Sequence, residues 1–224
     1  MPALNEAESI QSTLLSVALL PPGLAREVIV VDGGSQDDTT TRAAELGARV
    51  ISSPRGRALQ MNAGAEVATA DYLMFLHADT CLTRPAGDAL NQSLCDGAFW
   101  GRFDVRLSGS GTALRLVEFA MNRRSRWTGI ATGDQAIFVR GDVFRRLGGF
   151  PPIRLMEDIA LSRRLRRIAA PDCLRERVIT SSRKWEREGI ARTIALMWWL
   201  RLRYRLGTDP DWLAATYYSP ESNR

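Results

Sequence analysis

The chain has 224 residues, of which 45% are hydrophobic, so it can bury a full core in one domain with an appended segment. No run of about 18 apolar residues occurs, and we therefore expect no helix that crosses a membrane. The net charge is +5, and arginine supplies nearly all of the positive side, since Lys184 is the single lysine. Arginine contacts phosphate in a fixed bidentate geometry, which suits a diphosphate, a nucleic acid or an anionic lipid without choosing among them.

The cysteines and the single histidine restrict the kinds of site that the chain can build. Cys81, Cys95 and Cys173 are odd in number and have no paired spacing, which excludes a zinc pattern and a disulfide framework. His77 is the one histidine, so a histidine-rich metal site is excluded as well. The first residues lack the basic start and apolar stretch of a secretory signal. We therefore expect a protein of the reducing cytoplasm, or of the inner face of the plasma membrane.

Helices and strands alternate through the first part of the chain. The patterns predict helices at residues 7–20, 37–46 and 57–69 and strands at residues 27–32, 49–52 and 71–77. This order predicts an α/β fold with a Rossmann-like, mostly parallel sheet, flanking helices and right-handed crossovers. Residues 2–6 have the pattern of a loop that follows a first strand, yet no strand precedes them. The sheet is therefore expected to lack its first strand.

The second half is less regular. Its patterns predict strands at residues 98–107, 136–140 and 174–180 and helices at residues 113–124, 157–168 and 190–206, with a loose tail from residue 207. We divide the chain into a domain of residues 1–188 and a C-terminal amphipathic helix with its tail, residues 189–224. That helix carries tryptophan together with arginine, a composition that can lie at a membrane surface. A helix packed on the sheet with its arginines in solvent fits the same pattern.

Two of the predicted strands lead into an aspartate. Asp32 ends the run of apolar residues 28–31, and Asp79 follows the strand at residues 71–77. In open α/β sheets, ligands bind beyond the carboxyl ends of the strands, so the two carboxylates are expected to face one polar site. Capping of the next helix explains either aspartate equally well when it is taken alone.

Four further segments carry polar groups that suit the same site, namely residues 2–6, 55–64, 132–135 and 155–158. Glycine and two arginines beside a helix start make an anion site in the second of these. An aspartate and a glutamine after glycine can hydrogen-bond sugar hydroxyls in the third. Each segment also has a plain structural explanation, as a helix cap, a solvated helix start, a turn, or acids that complement a helix dipole.

Taken in order, the segments Pro-Ala-Leu-Asn-Glu, Val-Val-Asp-Gly-Gly-Ser, Phe-Leu-His-Ala-Asp and Met-Glu-Asp resemble family 2 glycosyltransferases of the GT-A fold. The resemblance is greatest to small bacterial members with Gly-Arg-Ala-Leu-Gln-Met-Asn, His-Ala-Asp and Thr-Gly-Asp-Gln. It implies an inverting enzyme that transfers a sugar from a nucleotide diphosphate, in the first place a UDP-sugar. The acceptor would be a hydroxyl or carboxyl group on a small molecule, a lipid or an isoprenoid. No nucleic-acid partner is implied.

The resemblance also implies a role for each motif residue. Asp158 would be the general base, and Asp79 would hold Mg²⁺ or Mn²⁺ on the two phosphates. The nucleotide would be bound by Asn5, Glu6, Asp32, Arg57, Gln60 and His77. The acceptor would be bound by Gly133, Asp134, Gln135 and Glu157. Glu157 is adjacent to Asp158 and is the rival candidate for the base.

His77 departs from the usual Asp-x-Asp motif of the family, in which the first member is an acid. An imidazole can bond ribose or phosphate, and it tolerates Mn²⁺ better than Mg²⁺. This departure and the absent strand leave a second hypothesis, a catalytically inactive module that binds a nucleotide or a membrane surface. A nucleotidyltransferase is a third, and it is disfavoured because residues 2–9 lack the glycines of a phosphate-binding loop.

Overall fold

The computed structural model describes residues 1–218. The strands are β1 (Pro2–Ala3), β2 (Ile29–Asp32), β3 (Arg49–Ser52), β4 (Tyr72–Phe75), β5 (Thr80–Cys81), β6 (Trp100–Leu107), β7 (Ile137–Arg140) and β8 (Asp172–Thr180). The helices are α1 (Ile10–Ala18), α2 (Thr39–Glu45), α3 (Arg57–Val67), α4 (Arg84–Cys95), α5 (Thr112–Thr128), α6 (Gly141–Arg146), α7 (Glu157–Leu165), α8 (Arg183–Glu188), α9 (Ile190–Arg205) and α10 (Pro210–Tyr217). A 3₁₀ turn at Gly133–Gln135 precedes β7.

The strands form two sheets. In the first, β1, β2 and β3 lie side by side and are all parallel. The second has the order β4-β7-β6-β8-β5, in which β6 and β8 are parallel and the other pairs are antiparallel. The predicted α/β class is confirmed, and every residue of β2 is buried, as the apolar run predicted. Two of the antiparallel pairs arise because β7 lies between β4 and β6 and runs opposite to both, and the third is formed by β5 and β8.

The expectation that the first strand is absent needs correction. Pro2 and Ala3 pair in parallel register with Val31 and Asp32, and the Met1 amino group donates to the Ile29 carbonyl at 2.9 Å. The strand is short, and an apolar cavity of about 160 Å³ lies alongside it, between β2 and β4. The loop that follows β1 opens onto the carboxyl end of the first sheet, where the predicted site was placed.

Helices α4, α8 and α10 were not predicted from the sequence. Helix α4 begins after Thr83, whose hydroxyl accepts from the Ala86 amide, and it carries proline in its first turn. Helix α10 occupies part of the segment that was expected to be loose. Leu213 and Ala214 of α10 are fully buried against Leu200 of α9, which holds the segment in place. The rest of the predicted tail, residues 219–224, lies outside the described residues.

The core lies on both faces of the second sheet. Trp100, Phe103 and Phe138 are among its largest fully buried side chains. Phe75 contacts both Phe144 and Phe150, with ring centroids 4.9 and 4.8 Å apart, and these contacts anchor β4 beneath the site. No helix within residues 1–218 is both long and apolar enough to cross a bilayer.

Candidate active site

The loop after β1, the loop after β4, the 3₁₀ turn and the start of α7 border one cleft of about 770 Å³. Most of the predicted site residues line it: Glu6, Arg57, Gln60, His77, Asp79, Gly133, Asp134, Glu157 and Asp158. Asp79 and Asp158 both line this cleft, although 78 positions separate them in the chain, whereas Asp32, the third acid expected at the site, does not line it. The roles assigned to these acids stay predictions. Both sheets deliver side chains to the cleft, because it lies where their strand ends meet.

Asp158 stands in the first turn of α7 and is held by two backbone amides. Its Oδ2 accepts from the Gly133 N–H at 2.9 Å, and its Oδ1 accepts from the Ile159 N–H at 2.6 Å. Burial raises the pKa of Asp158 above its ordinary value, and these two hydrogen bonds oppose that change. The carboxylate is thus held in one orientation and is more basic than an exposed aspartate.

Glu157 lies beside it in a drier environment. The residue is 5% exposed, and burial raises the pKa of Glu157 to about 7, with a further contribution from the charge of Asp158. The guanidinium of Arg57 acts in the opposite direction. With a pKa of about 7, a large fraction of Glu157 keeps its proton near neutral pH.

His77 packs against the 3₁₀ turn. A Cβ atom at Gly133 would lie 2.4 Å from His77 Cε1, so glycine is required at this position by close contact. His77 Nδ1 lies 3.7 Å from Asp134 Oδ1, and the side chain is 13% exposed. Burial and the Arg57 charge lower the pKa of His77 to about 4, which leaves a neutral imidazole at physiological pH. The motif histidine therefore offers hydrogen-bonding nitrogen atoms and no charge.

Asp79 is the carboxylate best placed to hold a divalent cation. Its side chain is 28% exposed in the cleft, and Arg183 lies 4.0 Å away while also bonding Glu6 at 3.0 Å. Burial raises the pKa of Asp79, and the nearby acids Asp134 and Glu6 raise it further. Within residues 1–218, no three His, Cys, Asp or Glu side chains surround one point as a complete metal cage. One or two carboxylates completed by phosphate oxygens are ordinary for Mg²⁺, so the residues present fit a cation shared with a nucleotide.

Three predicted site residues lie at the edge of the cleft and bond backbone groups instead of lining it. Asp32 accepts from the Gly34 amide at 2.9 Å and from the Ser35 amide at 3.1 Å, and Asn5 Oδ1 accepts from the Gln36 amide at 2.8 Å. These bonds shape the loops after β1 and β2, and the proposed nucleotide contacts of both residues stay predictions. The acceptor contact predicted for Gln135 needs correction. Gln135 is fully buried, and its side-chain oxygen accepts from the Thr132 amide within the 3₁₀ turn, so the side chain does not reach an acceptor.

Gln60 lines the cleft, but its amide nitrogen is already engaged. It donates to the carbonyl groups of Ala3 and Val31, each at 2.8 Å, and the residue is 4% exposed. These bonds tie α3 to β1 and β2 at the base of the cleft. Only the side-chain carbonyl oxygen of Gln60 could then contact the nucleotide, and that contact stays a prediction.

The C-terminal helices complete the cleft, which the sequence did not predict. Lys184, Met197, Arg201 and Tyr217 line it, so the boundary drawn at residue 188 does not separate the site from the helix that follows. Lys184 Nζ lies 3.2 Å from the ring centroid of Tyr217, and burial lowers the pKa of Lys184 to about 8. The sequence did set Lys184 apart, because it is the one lysine in a chain rich in arginine.

Comparison with known proteins decides the family. The sequence pattern of glycosyl transferase family 2 matches residues 1–143, which is more than half of the 224 residues. The chain belongs to glycosyl transferase family 2. Among curated family relatives, glucosyl-3-phosphoglycerate synthase of Mycobacterium tuberculosis H37Rv is 52% identical over 52 residues, which are 23% of this chain and 16% of the synthase. An uncharacterised glycosyltransferase of the same strain is 39% identical over 89 residues, 39% of this chain and 38% of that protein.

Solved structures share the fold of this chain. A complex of the M. tuberculosis synthase with phosphoglyceric acid superposes with a TM-score of 0.58 at 23% identity, covering 80% of this chain and 68% of that chain. The structure of Staphylococcus aureus TarS residues 1–349 in complex with UDP superposes with a TM-score of 0.64 at 16% identity, covering 80% of this chain and 58% of the TarS chain. These likenesses confirm the GT-A fold predicted for this family member.

Proposed function

We propose that this protein is an inverting glycosyltransferase that moves a sugar from a UDP-sugar, in the first instance UDP-glucose, to an acceptor hydroxyl or carboxyl group. The observation that supports it best is the meeting of Asp79 and Asp158 in one cleft. A structure of the M. tuberculosis synthase with Mn²⁺, UDP-glucose and phosphoglyceric acid, 25% identical with a TM-score of 0.57, supports the same donor class. The matched segment spans only 16% of the curated synthases, so the activity is inferred for this chain from its own cleft.

The donor's diphosphate would lie between Asp79 and the start of α3. A divalent cation, Mg²⁺ or Mn²⁺, held by Asp79 would neutralise the charge that develops on the leaving diphosphate. Arg57 is the first residue of α3, where the helix dipole also favours an anion. Asn5, Glu6, Asp32 and the neutral His77 would bind the uracil and ribose from the loops around them.

Asp158 would take the proton from the acceptor. Its carboxylate is fixed by the Gly133 and Ile159 amides, and burial raises its pKa, which improves it as a base at neutral pH. A base in this position contributes about 10²–10⁴-fold to the rate. Attack from the side opposite the leaving diphosphate, in one displacement, inverts the anomeric carbon. Asp134 and the partly protonated Glu157 would hydrogen-bond the acceptor or the sugar.

The acceptor is proposed to be a small molecule, a lipid or an isoprenoid. Helix α9 lines the cleft through Met197 and Arg201 while Trp198 and Leu202 are 72% and 55% exposed on its outer side. This arrangement supports contact of α9 with a membrane surface, at the cytoplasmic side of the plasma membrane.

Calorimetric titration with UDP in the presence and absence of Mn²⁺ tests the donor site. We expect binding that is stronger with the cation. Incubation with a panel of UDP-sugars and candidate acceptors, followed by product analysis, then tests transfer and the configuration of the product. Absence of UDP binding would contradict the proposal, and binding without turnover on any acceptor would favour an inactive nucleotide-binding module.

A further inference from the structure

Helix α5 presents a row of large apolar side chains to solvent. Leu116, Phe119 and Trp127 are 70%, 61% and 74% exposed. Their spacing places them along one side of the helix. Arg123 lies within the same row, with its guanidinium 4.3 Å from the Trp127 ring and 6.0 Å from the Phe119 ring. These residues were not assigned to the cleft or to the core.

Helix α9 and the start of α10 repeat this composition. Trp198 and Leu202 are exposed on the outer side of α9. Trp199 of α9 and Trp212 of α10 are in ring contact at 5.6 Å, and Arg203 lies 5.9 and 5.5 Å from the two rings. Exposed apolar groups in this number mark an interaction surface.

The charge of the two helices has one sign. Their basic residues are Arg115, Arg123, Arg124, Arg126, Arg192, Arg201, Arg203 and Arg205. Their one acid is Glu118, which is 4% exposed and bonded to Arg115 at 2.9 Å. The outer sides of α5 and α9 therefore expose no carboxylate, and they complement a partner with negative charge. Beside Trp212, the start of α10 exposes two acids, Asp209 and Asp211, so the positive charge of the surface comes from α5 and α9.

Helix α5 contacts the start of α9, and α9 borders the cleft. Leu114 and Val117 of α5 pack with Trp185 and with Ile190, the first residue of α9. The inner side of α9 lines the cleft. Arg124 of α5 lies near the acids of the cleft: burial lowers the pKa of Arg124, and the charges of Asp158 and Asp134 oppose that change. The side that carries the exposed aromatic residues is thus joined directly to the walls of the site.

We propose that α5, α9 and Trp212 form one surface that binds an anionic lipid bilayer and sets the cleft beside it. This inference rests on the proposed transferase function and extends its membrane contact from one helix to two. Tryptophan, phenylalanine and leucine insert among the lipid headgroups, and arginine contacts the lipid phosphates. The acceptor would then be an amphiphile that enters the cleft from the bilayer with its polar end first.

Vesicle sedimentation with purified full-length protein tests the surface. The probes are vesicles of phosphatidylcholine alone and vesicles in which phosphatidylglycerol replaces part of it. Two double variants are compared, Phe119→Ala/Trp127→Ala in α5 and Trp198→Ala/Leu202→Ala in α9. The control is Leu19→Ala, which removes a side chain that is 70% exposed just after the end of α1. Thermal unfolding checks that all of them fold.

We expect binding to the anionic vesicles that high salt weakens, a loss of about tenfold or more in each double variant, and none in the control. Binding that survives in either double variant would overturn the two-helix surface. Equal binding to neutral and anionic vesicles would also overturn it. A third contradicting result would be a protein that binds no vesicles but self-associates, with both double variants abolishing the self-association. UDP binding is measured separately, without vesicles. If the protein does not bind UDP, the proposed transferase function is contradicted. If it binds UDP but no vesicles, only the proposed membrane surface is contradicted.

Discussion

At the scale of single residues, the candidate site depends on contacts that bring two motifs together. The Gly133 amide binds Asp158, and the missing side chain of Gly133 leaves room for the His77 ring. Asp158 is thereby oriented by a backbone amide, while burial raises the pKa of its neighbour Glu157 to about 7. The geometry distinguishes the two acids that the sequence left as rivals.

Replacing Asp158 with asparagine keeps the size of the side chain and removes the proton acceptor. We expect the transfer rate to fall by about 10²–10⁴-fold with UDP affinity unchanged, because the base acts on the acceptor. Steady-state rates and UDP calorimetry measure the two effects. Glu157→Gln is the matched control and should retain most of the activity. If Glu157→Gln is the inactive variant and Asp158→Asn is active, the roles of the two acids are reversed.

Gly133→Ala should disturb the site through a steric clash. The new methyl group would meet the His77 ring at 2.4 Å, so the ring or the turn must move. We expect a loss of about 1–3 kcal/mol in unfolding free energy, together with weaker activity. Denaturant unfolding gives the stability change. Gly111→Ala, where the added atom meets open space, should change stability by less than about 0.5 kcal/mol. Equal effects of the two substitutions would contradict this account.

At the scale of elements, α5 is bound to β6 by a buried polar network. Arg102 of β6 is fully buried and pairs with Asp104, which also accepts from Arg126 of α5 at 2.9 Å. Asn122 of α5 exchanges two hydrogen bonds with the backbone of Val105, at 2.8 and 3.0 Å. This network positions α5 on the second sheet.

Asp104→Ala would leave the Arg102 guanidinium buried without its carboxylate. We expect a loss of about 3–5 kcal/mol in unfolding free energy, since an uncompensated buried charge is costly. Urea denaturation measures it. Asp142→Ala removes a carboxylate that pairs with Arg140 and Arg146 at the surface, and it should cost about 0–1 kcal/mol. A small effect at Asp104 would show that the network contributes little to stability.

At the scale of the whole molecule, the cleft is assembled from both sheets and from the C-terminal helices. Burial of acids in such a cleft opposes folding when they ionise. The pKa of Glu157 is about 7 in the folded chain and 4.5 in its ordinary state, so the folded protein holds this proton more tightly. Its contribution therefore reduces stability as pH rises through the window between these values.

Glu157→Gln removes that ionisation. We expect the variant to gain stability relative to the unsubstituted protein as pH rises from about 4.5 to above 7, and to show no gain from this source at lower pH. Melting temperatures of the two proteins across this pH range provide the measurement, and each kcal/mol of added stability should raise the melting temperature by about 2–4 °C. A difference that is constant with pH, or that shrinks as pH rises, would contradict the assigned ionisation of Glu157.

The sequence by itself determined the family, the α/β class and the residue types at the strand ends. Those properties are local, because an apolar run, a capping residue or a motif lies within a few neighbouring positions. Tertiary structure decided which side chains reach a ligand. Asp32 and Gln135 turn to backbone amides, Gly133 meets His77, and Tyr217 reaches the cleft. These outcomes depend on contacts between residues far apart in the chain, where packing and burial set the free energy and no local pattern records them.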